Sequence, residues 1–220
     1  MLKKTSLFLI CLFCAGLFSC AKAPAKVGEI IEPSDAEPAI IEPESVPAPV
    51  RNGGPLNGVV REFYPNGNIK EEAVYKNGVL NGYLKKYSES GTLLSKAEYQ
   101  DGDLNGVYKE FYVTGKIKTE IEYVNNKKDG AQKEYDPEGT LLSEFNYTLG
   151  KLEGFSKTYY EDGALRYIIS YSNNLKEGEM QIFSNNNAAK PIYIDVYKNN
   201  KRIKRKAYAA DGKLLFVVDY

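Results

Sequence analysis

The sequence predicts an all-β fold: an extended, twisted, single antiparallel sheet of about six to seven consecutive β-hairpins, each 24 residues long. Three observations carry this. First, glycines recur at a constant step of 24, at Gly58, Gly82, Gly106, Gly130, Gly154 and Gly178. A second set keeps the same step at Gly67, Gly91, Gly115, Gly139 and Gly163, with Asn187 in the sixth place. A tyrosine column (Tyr75, Tyr99, Tyr123, Tyr147, Tyr171) and an aromatic column (Phe63, Tyr87, Phe111, Tyr135, Tyr159, Phe183) share that register. Four columns in one register mark a stacked array of repeats. Second, the segments between glycines are rich in β-branched and aromatic residues. Third, connections such as Lys76 to Gly82 are too short for a crossover helix, so the hairpins join edge to edge.

Within a repeat, Val59 to Tyr64 forms one arm and Asn68 to Tyr75 the other. The loops Pro65-Asn66-Gly67, Glu89-Ser90-Gly91, Val113-Thr114-Gly115, Pro137-Glu138-Gly139 and Glu161-Asp162-Gly163 all place glycine third. That pattern predicts a type I turn followed by a left-handed glycine in a bulge. Pairing is expected to set Phe63 opposite Ile69 and Val59 opposite Ala73. Positions 59, 63, 69, 73 and 75 are mostly apolar and 62, 72 and 74 mostly polar, so one face packs and the other is solvated. On this parity the tyrosine column, the aromatic column and a basic column (Arg61, Lys85, Lys109, Lys133, Lys157) share the packing face. The sixth unit runs about two residues long around Asn185 to Pro191. The seventh is irregular, with Tyr197, Tyr208, Gly212 and Tyr220 one residue short and the strict glycine lost near Lys204, as suits a terminal repeat.

Residues 1–19 read as a leader: Lys3 and Lys4, then an apolar run from Thr5 to Phe18 that is shorter than a membrane span of about 20 residues. Leu17-Phe18-Ser19-Cys20 resembles a bacterial lipobox, which implies cleavage before Cys20, diacylglyceration of its thiol and acylation of its new amine (palmitate or a similar chain). Several acyl chains anchor firmly where one anchors marginally. All three cysteines lie within the first 20 residues, so Cys20 would keep no disulfide partner after cleavage. Ala21 follows it, which resembles the default for outer-membrane delivery. Residues 20–55 then hold seven of the ten prolines, no aromatic residue, and six acidic against three basic side chains, a net −3. Such a stretch reads as a disordered tether between the lipidated cysteine and the repeat domain, 56–220. Its reach is at most ~110 Å at about 3.1 Å per residue.

The motif Gly-x4-aromatic-x3-Gly-x-Leu/Ile-x5-Tyr-x-Asn/Asp-Gly, running from Gly58 to Gly78 in the first unit, resembles the MORN-repeat variant. The resemblance covers residues 56 to 183 and weakly the remainder, and implies a twisted sheet of successive hairpins. Bacterial members of this variant carry the label YwqK-like antitoxins. Other arrays of the family are similar to protein-interaction scaffolds or lipid binders.

The composition excludes several chemistries. With no histidine among 220 residues there is no His general base, no Ser-His-Asp nucleophile and no His-ligated metal. Balanced charge, 29 basic against 29 acidic, argues against a nucleic-acid binder. The sequence shows no P-loop and no nucleophile elbow, so neither enzyme, cofactor nor metal is expected. Two surfaces are singled out instead. Alternate repeats resemble each other more than neighbours do. Tyr64, Tyr112 and Tyr160 with Leu94 and Leu142 form an expected apolar stripe on the solvated face, suited to docking a protein. Lys198, Lys201, Arg202, Lys204, Arg205 and Lys206 form a basic end that reads as a charge-protected edge or as a contact for an anionic surface. The expectation is an envelope protein, lipid-anchored and outer-membrane, that binds another protein, with an immunity or antitoxin role as the specific version. The alternative is an envelope structural or surface-binding module touching anionic lipid, glycan or peptidoglycan.

Overall fold

The computed structural model describes residues 55–185 and 187–220, with the side chains of 187 and 188 left aside. The leader, Cys20 and the Pro-rich segment lie outside the described residues. Those described form a single antiparallel sheet of 16 strands. The strands are β1 (Gly58–Phe63), β2 (Ile69–Lys76), β3 (Val79–Tyr87), β4 (Leu93–Gln100), β5 (Asp103–Leu104), β6 (Gly106–Phe111), β7 (Ile117–Val124) and β8 (Lys127–Tyr135). They continue as β9 (Leu141–Thr148), β10 (Lys151–Leu152), β11 (Gly154–Tyr159), β12 (Leu165–Ser172), β13 (Leu175–Ser184), β14 (Asn187–Lys198), β15 (Lys201–Tyr208) and β16 (Leu214–Asp219). Each pairs with its sequence neighbour; β5 and β10 are the broken-off starts of β6 and β11.

Two kinds of turn build the ladder. Within hairpins, the third loop residue is a glycine at positive φ (Gly67 at 87°, Gly163 at 82°), and Gly67 N donates to the Tyr64 carbonyl at 2.9 Å. Between hairpins, two successive residues take positive φ, as at Asn77–Gly78 (52° and 80°) and Asn125–Asn126 (49° and 65°). That is the twist-matched two-residue hairpin connection, which asparagine and glycine adopt most cheaply. Asp101 and Leu149, each at φ 51°, are the exceptions, and of the two only leucine lacks a polar side chain suited to that conformation.

The bulge corrects the expected register. Phe63 does lie opposite Ile69, but a shift between Glu62 and Phe63 places Val60, not Val59, opposite Ala73. The bulge sets one extra residue on β1 beside the loop, which moves the partner of every residue before it by one. Paired residues share a face, so Val60, Ala73 and Tyr75 lie on one face and Arg61 with Glu72 on the other. The basic column is therefore opposite the tyrosine column, not beside it. The seventh unit forms a complete hairpin: Tyr208 pairs Leu214 as Phe63 pairs Ile69, and Tyr220 N donates to the Ile203 carbonyl at 3.0 Å. By this register Tyr220 stands in the Tyr75 column.

Candidate functional site

The alternate-repeat pattern has a structural content. In the first, third and fifth hairpins the residue following the first arm is a tyrosine whose hydroxyl donates to a backbone carbonyl of the next hairpin. Tyr64 reaches Tyr87 O at 2.8 Å, Tyr112 reaches Tyr135 O at 2.7 Å and Tyr160 reaches Phe183 O at 2.9 Å. In the even hairpins the same column holds Ser88 and Asp136, which accept from the N–H groups of Thr92 (3.0 Å) and Thr140 (2.7 Å) in their own turns. A hydroxyl on a long ring crosses to the neighbour, and a short oxygen closes its own loop. The three tyrosines are half-buried rather than freely exposed, as is Leu142, while Leu94 is 38 % exposed. The Arg166 guanidinium lies 5.4 Å from the Tyr160 ring centre.

On the face opposite the tyrosine column, the basic column is ion-paired. Arg61 Nη2 meets Glu72 at 2.7 Å and Lys85 Nζ meets the same carboxylate at 3.3 Å, so Glu72 ties three strands. Lys109 pairs with Glu120 at 3.2 Å, and Lys133 and Lys157 flank Glu144 at 3.9 and 3.8 Å. Burial raises the Glu72 carboxyl, but hydrogen bonds from Arg61, Tyr83 and Lys85 outweigh it and hold the group below its ordinary value.

The packing face carries two apolar clusters. One joins Ala73, Tyr75, Leu80 and Leu84; the other joins Tyr167, Ile169, Met180, Ile182 and Tyr197. Between them the fourth hairpin places polar side chains in apolar columns, a feature the sequence reading passed over. Lys128 Nζ donates to Gln132 Oε1 at 2.8 Å and lies 4.8 Å from the Tyr147 ring. Gln132 Nε2 donates to Glu134 at 3.2 Å, and Ser143 Oγ donates to the same carboxylate at 3.1 Å. The signal was legible as Lys128 and Gln132 standing where Leu80 and Leu84 stand two units earlier. Beside these clusters, burial pushes the Tyr123 phenol up to about 12.

At the basic end, most cations are already committed. Arg205 makes two contacts to the fully buried Asp195, at 2.7 and 2.6 Å, and Arg202 meets it at 3.4 Å. Lys204 pairs with Asp219 at 3.1 Å and Lys206 with Glu179 at 3.9 Å. Lys198 and Lys201, at the exposed turn, are the two of the six outside these pairs. Among the described residues no group of His, Cys, Asp or Glu is placed to hold a metal ion.

Comparison with curated proteins finds no match. Comparison with protein families matches residues 56–77, 80–101, 104–125, 128–148 and 152–173 to the MORN repeat variant. These are the first five of the seven hairpins, with boundaries falling at the two-residue turns. Residues 56–173 thus carry an array of five consecutive copies of the MORN repeat variant.

Proposed function

We propose that the chain is a protein-binding module held at the cell envelope by a lipid on Cys20, with the repeat array as its docking surface. The observation that carries the docking is the row Tyr64, Leu94, Tyr112, Leu142 and Tyr160. Its tyrosine hydroxyls are spent on backbone carbonyls, so the half-buried rings are held in place and lose little freedom when a partner covers them. Rigid aromatic anchors amid charge are the composition of an interface core. A cysteine-anchored array would bring this surface to the outer membrane. The specific version is an immunity protein that masks a toxin; a gene for a large secreted toxin found beside this one would favour it, and its absence would weaken it. The surface-binding alternative is supported less, because four of the six terminal cations are spent within the fold.

The test is co-purification of the lipidated full chain from its own cells, beside the triple variant Tyr64→Ser, Tyr112→Ser, Tyr160→Ser. The expected result is loss of a specific protein from the variant, with β-sheet content retained. Each lost hydroxyl bond should cost about 0.5–1.5 kcal/mol and each lost ring more. Equal recovery of the partner by the variant, or recovery of lipid or glycan alone, contradicts the proposal.

A further inference from the structure

The two ends of the array carry the two halves of the junction that joins its hairpins. Inside the array, the second arm of one hairpin pairs with the first arm of the next: Glu71 with Lys86, Glu72 with Lys85, Ala73 with Leu84 and Tyr75 with Leu80. Facing Val74 is the glycine of the repeat. A Cβ on Gly82 would come within 2.8 Å of Val74 Cβ. Gly106 and Gly130 are crossed in the same way by Glu98 and Glu122. At these three junctions a left-handed glycine on the arriving strand thus lies under a side chain of the receiving strand; at Gly178 the nearest such atom, Ser170 Oγ, is 3.5 Å away, and at Gly154 none lies within 4 Å.

Gly58 keeps this glycine in β1, at φ +92°, and among the described residues nothing lies within 4 Å of where its Cβ would be, as is also true of Gly154 inside the array. Among the described residues β1 pairs with β2 alone, so it is an arriving strand without a receiver there. At the other end, β16 is a receiving strand with no arrival. The β16 register maps Phe216, Val217, Val218, Asp219 and Tyr220 onto Glu71, Glu72, Ala73, Val74 and Tyr75. Inside the array Ala73 is 2 % and Tyr75 4 % exposed; Val218 is 39 % and Tyr220 58 % exposed. Among the described residues β16 pairs with β15 alone. Nor does it carry the usual protection of a free edge: it has no proline or lysine, no bulge beyond the turn-side shift common to every hairpin, and one charge, Asp219.

We propose that β16 receives β1 of a second copy of this chain, extending the sheet head to tail. The occupant follows from continuity with the internal junctions. The same pairing rule sets Phe216 opposite Glu62, Val217 opposite Arg61, Val218 opposite Val60 and Tyr220 opposite Leu56 of the second copy, with Asp219 lying over Gly58. Asp219 would accept the adjacent backbone N–H, as Glu98 accepts Val107 N at 3.4 Å over Gly106. The contact joins unlike surfaces, so copies add head to tail, into an open chain or, where the rotation closes, a ring.

The test uses the full chain in its native membrane, with cysteines introduced at the predicted partners and oxidised in place. Val60→Cys and Val218→Cys on separate co-expressed chains should give a disulfide-linked dimer, and both in one chain should give a ladder of multimers. Gly58→Asn should reduce that ladder at least tenfold with the sheet intact by circular dichroism. Asparagine tolerates left-handed backbone, and its Cβ meets open space until a second copy docks. No adduct above the wild-type background overturns the proposal. A dimer formed by Val218→Cys alone also does, since it means β16 pairs with itself. A ladder undiminished by Gly58→Asn contradicts the glycine junction.

Discussion

At the residue scale, backbone conformation decides which side chains the array tolerates. The inter-hairpin turns demand two successive left-handed residues, and the chain supplies Asn or Asp at nearly every first position. Leu149 occupies that position at φ 51°, with its side chain 66 % exposed. A left-handed L-residue costs about 1–2 kcal/mol, and asparagine escapes part of it. Leu149→Asn should therefore raise stability by about 1 kcal/mol, seen as a higher Tm by calorimetry. An unchanged or lower Tm would show that the leucine makes a contact offsetting its strain. The turn glycines were fully legible in the sequence, because glycine is the cheapest residue at positive φ and its spacing is conspicuous. The tyrosine braces were legible only as an unexplained two-repeat rhythm. Whether Tyr64 reaches outward or across to Tyr87 O depends on the separation of neighbouring hairpins, which no local pattern encodes.

At the element scale, the hairpins and their order followed from the repeat, while the assignment of faces did not. One bulge residue inverts the parity of a whole arm, and so it moved Arg61 and its column from the aromatic face to the ion-paired one. The consequence is that charge, not a row of rings, ties neighbouring hairpins on that side. Glu72 links β1, β2 and β3 through Arg61 and Lys85. Its folded-state pKa lies below the ordinary 4.5. The link's stabilisation is thus complete above that ordinary value and disappears as pH falls through the lower, folded-state one. Thermal unfolding of the wild type and Glu72→Gln between pH 7 and pH 3 should show a higher Tm for the wild type at neutral pH and convergence in acid. A gap that persists at the acid end means Glu72 acts through packing instead.

At the scale of the whole molecule, a single-layer sheet has no second layer to bury its apolar face. Its interior is divided along the array: an apolar cluster near each end, and the polar Lys128–Gln132–Glu134–Ser143 chain between them. In such an array each hairpin depends chiefly on its neighbours. Side chains that reach across junctions, as Tyr64, Tyr112 and Tyr160 do, serve the stack and present its surface at once. Composition excluded histidine chemistry and the two-repeat rhythm already singled out the row from Tyr64 to Tyr160; the hydroxyl bonds that hold its rings across the junctions needed the geometry. The central claim is that the row from Tyr64 to Tyr160 docks a protein. It is tested most directly by placing a photo-cross-linking amino acid at Leu94 or Leu142 in the full chain within its own cells. Phe155 serves as the control, apolar and 61 % exposed but at the far end of its strand from Tyr160. The account predicts one discrete protein adduct at both leucine positions and none at Phe155. Adducts to lipid alone, or equal labelling at all three positions, would contradict it.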